Sequence, residues 1–481
     1  MLLFLLLSLP LLSVVIFSFI KKSIFLFEII IQLVAIVEFF CGLFIALDVS
    51  RNKVYNLGSY FSVDSLSAII LITIITIGCA VSFYSIGYIR EEVLRNIIGF
   101  HRVKQYYILL SLFLVAMCFA ITTVNPIVMW IFIEATTLST VFLISFYNKT
   151  TTMEAAWKYL IINSIGLLLG FFGALLFLSV KTDLVQTGLI SWSSTLLMAI
   201  TINPFVAKIA FIFILIGYGT KAGLVPMHTW LPDAYSKAPS PISALLSGAL
   251  LNVSFLAILR FKLIVDAAVG LGFSEKLLIF FGIISIVVPS FIIFSQKNYK
   301  RLFAYSSIEH IGIVFLGIAF GGIGIFAALL HMIYHSLLKA ILFFCAGNIL
   351  LKYGTTKIIK IKGVLNSLPV TSVLMFLGFL AITALPPFGM AITEFYILSA
   401  GISKYFIIII IAIFSLGLSF IGFLKHISAM TFGDNALIEK GELNIYTVAP
   451  IIFLFLVFII LGIYLPAPFK ILIDRAIILI S

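Results

Sequence analysis

Charge is what this chain has least of. Asp, Glu, Lys and Arg make up 10% of its 481 residues while 63% are hydrophobic, and mean hydropathy is +1.27. An ordinary soluble domain carries about 25% charged residues, so this chain cannot clothe itself in polar surface and lipid must do it. The expectation is one membrane domain over 1–481. Cysteine is nearly absent too. Cys41, Cys79, Cys118 and Cys345 lie in apolar stretches with no C-x-x-C pair, which excludes a thiolate framework for iron–sulfur or zinc. The sequence has no Gly-rich phosphate loop, HExxH helix or axial-ligand pair, so neither cofactor nor metal is expected. Linkers and low-complexity tracts are missing as well. The basic excess, 30 Lys and Arg against 18 Asp and Glu, is scattered singly or in pairs between apolar runs and makes no nucleic-acid patch. Met1 to Ile20 has no basic leader or small-x-small cleavage site before Lys21-Lys22, so a retained first helix is expected rather than a signal peptide.

What is present is a succession of apolar runs, each near the roughly 20 residues that cross a bilayer as a helix. They fall at 1–20, 25–47, 66–89, 106–123, 125–147, 158–179, 205–236, 240–263, 275–296, 303–320, 322–351, 367–400, 404–426 and 446–465. The fold class is therefore an all-α polytopic membrane protein of about 14 transmembrane helices. The seventh and twelfth runs are too long for one crossing and carry mid-span prolines, Pro226 and Pro232 in one, Pro386 and Pro387 in the other. Proline removes a backbone donor and clashes with the preceding turn. Both helices are expected to break, and broken backbone survives at membrane depth only where protein or water satisfies it. The breaks are five helices apart. An odd offset means opposite directions through the membrane, as in inverted repeats. The expected organisation is helices 1–3 in 1–105, a first five-helix repeat in 106–263, a second in 275–426, and helix 14 at 446–465. Odd-numbered loops carry 18 Lys and Arg, and even loops with both tails carry 9. The positive-inside rule then sets both termini on the outer side of the cell membrane.

Ionisable side chains inside spans cost at least about 2.5 kcal/mol each and mark function by default. Glu134 lies mid-way along the fifth span. Lys221 precedes the seventh-span break and His228 follows it. Glu309 and His310 fall in the tenth span, His331, His335 and Lys339 in the eleventh, and Glu394 after the second break. Glu134 and Lys221 form the sharpest pair. At about 4 Å and an effective dielectric of about 20 they would attract by roughly 4 kcal/mol, enough to change proton occupancy about a thousandfold as they separate and close. A static ion pair that fixes helix packing is the alternative. His331, His335 and Lys339 recur every four residues and share one helix face, as a proton relay would. His-x3-His is also metal-ligand spacing, but no third ligand completes it in the sequence, and hydrogen-bonded core histidines are the plainer alternative. Glu394 reads as an exit gate or as a cap on the half-helix. Glu309 and Lys158 lie nearer the expected span ends, where charged groups can snorkel to the interface.

The run GTKAGLVPMHTWLPDAYSKAPSPISALLSGALLN, followed in order by SSIEHIGIVFLG, HSLLKAILFFCAGNI and LPPFGMAITEF, resembles the signature of the antiporter-like membrane subunits of respiratory complex I, group 4 nickel–iron hydrogenases and Mrp antiporters. Within that superfamily the resemblance is strongest to the component F branch of hydrogenase-4-type complexes. It implies 14 helices in two inverted repeats and proton translocation driven by redox chemistry elsewhere in the complex. It also implies roles for Glu134, Lys221, His335, Lys339 and Glu394, with His310 matching a histidine found in some members. Asn252 stands where many members have lysine, so the link between halves must run through water, His228 or Asn252 itself. The expected partners are other membrane subunits, including further antiporter-like chains, and lipid. The expected ion is the proton, with a sodium/proton antiporter and a non-pumping scaffold as alternatives.

Overall fold

Inside a bilayer only a helix satisfies every backbone donor within one segment, and the apolar runs are helical. The computed structural model describes residues 1–21, 23–179, 190–433 and 438–480, so Lys22 of the Lys21-Lys22 pair lies outside the described residues. The helices of eight or more residues are α1 (Leu2–Phe19), α2 (Ile24–Asn52), α3 (Ser65–Leu94), α4 (Phe100–Thr122), α5 (Pro126–Ile144), α6 (Thr150–Leu178), α7a (Pro204–Ala222), α7b (Trp230–Lys237), α8 (Ser240–Val269), α9 (Leu271–Phe294), α10 (Tyr299–Phe320), α11 (Ile323–Tyr353), α12a (Pro369–Ile382), α12b (Gly389–Gly401), α13 (Phe406–Thr431), α14 (Ile445–Ile463) and α15 (Ala467–Ile480). Among the described residues 13 helices are long and apolar enough to cross a membrane, α7a and α7b counting as one. The interrupted α12 supplies the fourteenth.

Local chemistry explains the starts and stops. Asn125 and Asn203 cap α5 and α7a through their side chains, each followed by a proline at the first helical position, where the missing N–H costs nothing. Gly223 ends α7a with φ +83°, a left-handed conformation that a Cβ disfavours. Both expected breaks are present. α7 is open between Ala222 and Trp230 apart from one short turn, and α12 between Ile382 and Gly389. Each gap contains one cis X-Pro bond, Val225-Pro226 and Pro386-Pro387. A π-helical turn, Leu246–Leu250, interrupts α8 just before Asn252.

Several boundaries differ from the sequence reading. α6 starts at Thr150 rather than 158, because Thr152 bonds back to the Lys149 N–H and opens the helix early. α2 continues to Asn52, and a small antiparallel hairpin follows, Tyr55–Leu57 against Phe61–Val63 with Asn56 opposite Ser62. A short helix, α15, follows the last span; its Arg475 donates to the Val49 carbonyl at 2.8 Å. α10 starts at Tyr299, four residues before the expected start, so Glu309 sits mid-helix and buried. Glu309 therefore does not take the snorkelling position that a span end would have allowed.

The core lies in the middle of the sequence. The most apolar window of α8 is wholly buried, those of α10 and α11 94% buried, but those of α1, α13 and α14 only 33%. Protein encloses the first group and leaves the second facing outward. α8 meets α11 closely, since a Cβ on Gly248 would lie 2.8 Å from the Ser336 carbonyl oxygen.

Candidate functional site

The last turn of α7a carries Lys221 into the interior, where it has no exposed surface. Its amine donates to Thr137 Oγ1 at 2.8 Å and to the Tyr159 hydroxyl at 2.7 Å, and Tyr159 is itself 2.5 Å from Thr140 Oγ1. Glu134 lies one turn before Thr137 on α5. It accepts from Ser164 at 2.7 Å and from Thr137 at 3.4 Å. The two charged residues therefore meet through the Thr137 hydroxyl, which accepts from the amine and donates to the carboxylate. The direct ion pair expected from the sequence is not formed. The spacing along α5 is the reason: residues three apart share a face, so Thr137 comes between the acid and the amine. Glu134 is half-buried rather than buried, toward the outer flank of the chain.

The hydroxyl shell has a chemical consequence. A carboxylate can only accept, and so leaves the lone pair of a neutral amine without a donor, whereas Thr and Tyr hydroxyls both donate and accept. Lys221 can be hydrogen-bonded with or without its third proton.

Between the halves the groups are neutral. Asn252 donates to Ser336 Oγ at 2.8 Å and to the Gly248 carbonyl at 3.1 Å, and its Oδ1 has no protein partner. Ser247 and Ser307 pair at 2.8 Å. His228 lies in the α7 gap, mostly buried, with Nδ1 unpartnered. Its ring centroid is 6.3 Å from that of Tyr305, and it touches neither Lys221 nor Asn252 by a hydrogen bond.

The eleventh-span row divides. Lys339, fully buried, donates to the Phe303 carbonyl at 2.8 Å and to the Ser306 hydroxyl. Its neighbour His335 makes no hydrogen bond with either nitrogen, so the three residues share a face without forming the bonded relay that their spacing suggested. His331 and His335 instead face His310 of α10, with ring centroids 5.2 and 5.4 Å away. His310 Nδ1 is 3.1 Å from His331 Nε2 and 3.9 Å from Glu394 Oε1. His331 Nδ1 is 2.9 Å from the Thr393 hydroxyl. Glu309 accepts from Ser419 at 2.5 Å, and Glu309, His310 and Glu394 line one small cavity with Thr383 and Ser419.

Sequence reasoning missed part of this. Thr137, Tyr159, Ser306 and Thr393 have no charge to attract notice, and only their contacts reveal them. Glu38, buried in α2 with one oxygen unpartnered, was visible as a mid-span acid. Glu92, which accepts from the Tyr147 hydroxyl, and Lys300, which donates to the Ala238 carbonyl at 2.8 Å, are buried as well; both lie outside the expected spans. A cavity lined by Asp64, Asn125, Trp192 and Arg260 among others contains none of the site residues.

Residues 124–422 match the family described as NADH:quinone oxidoreductase/Mrp antiporter, TM, and residues 53–96 match NADH-Ubiquinone oxidoreductase (complex I), chain 5 N-terminus. A Hydrogenase-4 component F homolog from Methylacidiphilum infernorum (isolate V4) is 39% identical over 350 residues, 72% of this chain and 74% of that one. NADH-quinone oxidoreductase subunit M from Rickettsia typhi (strain ATCC VR-144 / Wilmington) is 30% identical over 300 residues, 61% of this chain and 59% of that protein's length. Two solved assemblies contain chains of the same fold. One is the membrane-bound sulfane sulfur reductase, an archaeal respiratory membrane complex (TM-score 0.88, 23% identity, 99% of this chain and 97% of that one). The other is the Mrp complex from Dietzia sp. DQ12-45-1b (TM-score 0.87, 18% identity, 100% and 97%).

Proposed function

The chain belongs to the NADH:quinone oxidoreductase/Mrp antiporter family of membrane subunits, and from that premise we propose that it translocates protons within a membrane-bound redox complex of the hydrogenase-4 or complex I kind. The observation that carries this reading is two wholly buried amines inside expected spans, Lys221 and Lys339; Lys300, also buried, lies at the start of α10 outside those spans. Each of the first two is held by neutral oxygens and neither by a direct carboxylate. An uncompensated charge in the interior costs several kcal/mol, and a scaffold has no use for two of them. A shell able to serve both protonation states is what a proton carrier needs.

In the proposed cycle a neighbouring subunit packs against the flank where Glu134 is half-buried and perturbs its charge. The change reaches Lys221 through Thr137. Protons then pass by water, His228 and Asn252 to Lys339, and onward through His335, His310 and His331 to Glu394. The unpartnered Oδ1 of Asn252 and Nδ1 of His228 offer bonding positions for that water. The partners are further antiporter-like chains and the redox subunits, in a cell membrane with both termini on the outer side.

The test is proton uptake by reconstituted vesicles of the intact complex. Lys221→Ala and Glu134→Gln should each abolish uptake while the complex still assembles. Full pumping by both would leave a scaffold. Uptake that requires sodium would make the chain a cation/proton antiporter instead.

A further inference from the structure

We propose that His310, His331 and Glu394 form a binding site for a divalent transition ion of the zinc type, with the unbonded ring of His335 beside it. In the sequence His331 and His335 had metal-ligand spacing but no completing ligand. The fold brings one from α10 and another from α12b. His310 Nδ1, His331 Nε2 and a Glu394 oxygen all lie within 4.8 Å of one another, the closest two 3.1 Å apart. Ligands around tetrahedral zinc, at bonds of 2.0–2.1 Å, are roughly 3.3 Å apart. Small side-chain rotations close the site.

Proton bookkeeping points the same way. Thr393 donates its hydroxyl proton to the Met390 carbonyl at 2.9 Å, so its oxygen must accept from His331 Nδ1–H. That leaves His331 Nε2 as a lone pair. His310 Nδ1 lies 3.1 Å from that lone pair and 3.9 Å from a Glu394 oxygen, so a proton on Nδ1 is held between them. The His331 lone pair and His310 Nδ1 then face each other beside a carboxylate. Such a set attracts a cation: one shared proton, or a metal that displaces it. Thr393 holds the His331 ring as outer-shell partners hold metal-binding imidazoles. His335 supplies an independent sign: it is 1% exposed, neither nitrogen is bonded, and its ring faces that of His310. Two imidazoles with one carboxylate favour zinc over magnesium or calcium, which prefer oxygen ligands. The cavity lined by Glu309, Thr383 and Ser419 adjoins the site. If these residues also carry protons, as proposed above, bound metal occupies their lone pairs and closes the route.

The experiment uses the full chain in nanodiscs, stripped with chelator and titrated with Co2+ as a coloured probe, then with Zn2+. One Co2+ per chain with the visible absorption of a tetrahedral ion, displaced by Zn2+, is expected. His331→Ala and Glu394→Gln should weaken binding at least about tenfold, and Thr393→Val by roughly 10- to 100-fold; the Thr393 variant keeps all ligands should the others fail to fold. No stoichiometric binding would overturn the proposal, as would an octahedral spectrum. So would binding that survives His331→Ala but is lost in His101→Ala, a surface histidine. Tight binding that leaves proton uptake by the complex unchanged would support the site and count against the proton route, so the two readings fail separately.

Discussion

α7 and α12 break in the same manner and arm the break differently. Counted from the cis proline, an acid stands seven residues on in both, Asp233 after Pro226 and Glu394 after Pro387. Five residues before, α7 has Lys221 and α12 has Ile382. The second half therefore takes its amine, Lys339, from the unbroken α11. The acids part company too. Asp233 is half-buried and bound to Arg301 at 2.8 Å, with the exposed Lys158 at 3.5 Å. Glu394 is buried against His310. The comparison teaches that one backbone device serves two electrical designs: α7 opens onto a solvated ion-pair mouth, and α12 onto a closed histidine–carboxylate cluster.

If both amines are carriers, Lys339→Met should match Lys221→Ala and cut proton uptake by about a hundredfold or more, the scale of losing a proton-transfer group. A large loss at one site alone would break the equivalence. The next test concerns how each amine is joined to its acid. Thr137→Val removes the sole hydroxyl between Glu134 and Lys221 and should slow uptake about tenfold, roughly the 1.4 kcal/mol of one hydrogen bond, while Thr137→Ser should restore it. Asp233→Asn measures the asymmetry of the acids. Exposed ion pairs contribute about 0–1 kcal/mol, so uptake should fall less than about fivefold, far below the loss in Glu394→Gln; equal losses would make the two mouths alike.

The smallest effect on transport is expected at Asp64, outside both breaks. Burial raises its carboxyl, but Arg260 at 2.5 Å and hydrogen bonds from Arg260 and Ser67 outweigh that and hold it below the usual carboxylate range. Such a group stabilises fully above the ordinary value, about 3.9, and the contribution is lost as pH falls through the lower folded value. Asp64→Asn should thus unfold earlier at pH 7 by roughly 1–3 kcal/mol, with unchanged uptake. The gap to the unsubstituted chain should close below about pH 4, as thermal unfolding in detergent can show; a gap that persists there would rule out the charge as its cause.

Much of this was legible because membrane-spanning helices are dictated locally. Runs of about 20 apolar residues, two proline-broken spans and a few mid-span charges gave the helix count, the breaks and Glu134, Lys221, Lys339 and Glu394 as candidates. Boundaries slipped where a cap rather than hydropathy decides them, as at Thr150 and Tyr299. The partners of the charges were hidden for another reason: Thr137, Tyr159, Ser306 and Thr393 are ordinary residues until packing places them beside an amine or imidazole.

Sequence alone determined that this chain lives in lipid, crosses it as helices and buries charge at a cost, because solvent and hydrogen-bond accounting act on each segment separately. Tertiary structure decided that Lys221 meets Glu134 through a hydroxyl, and that three histidines and a carboxylate from three helices converge. Those contacts join residues up to 84 positions apart, and no local periodicity records which helix faces which.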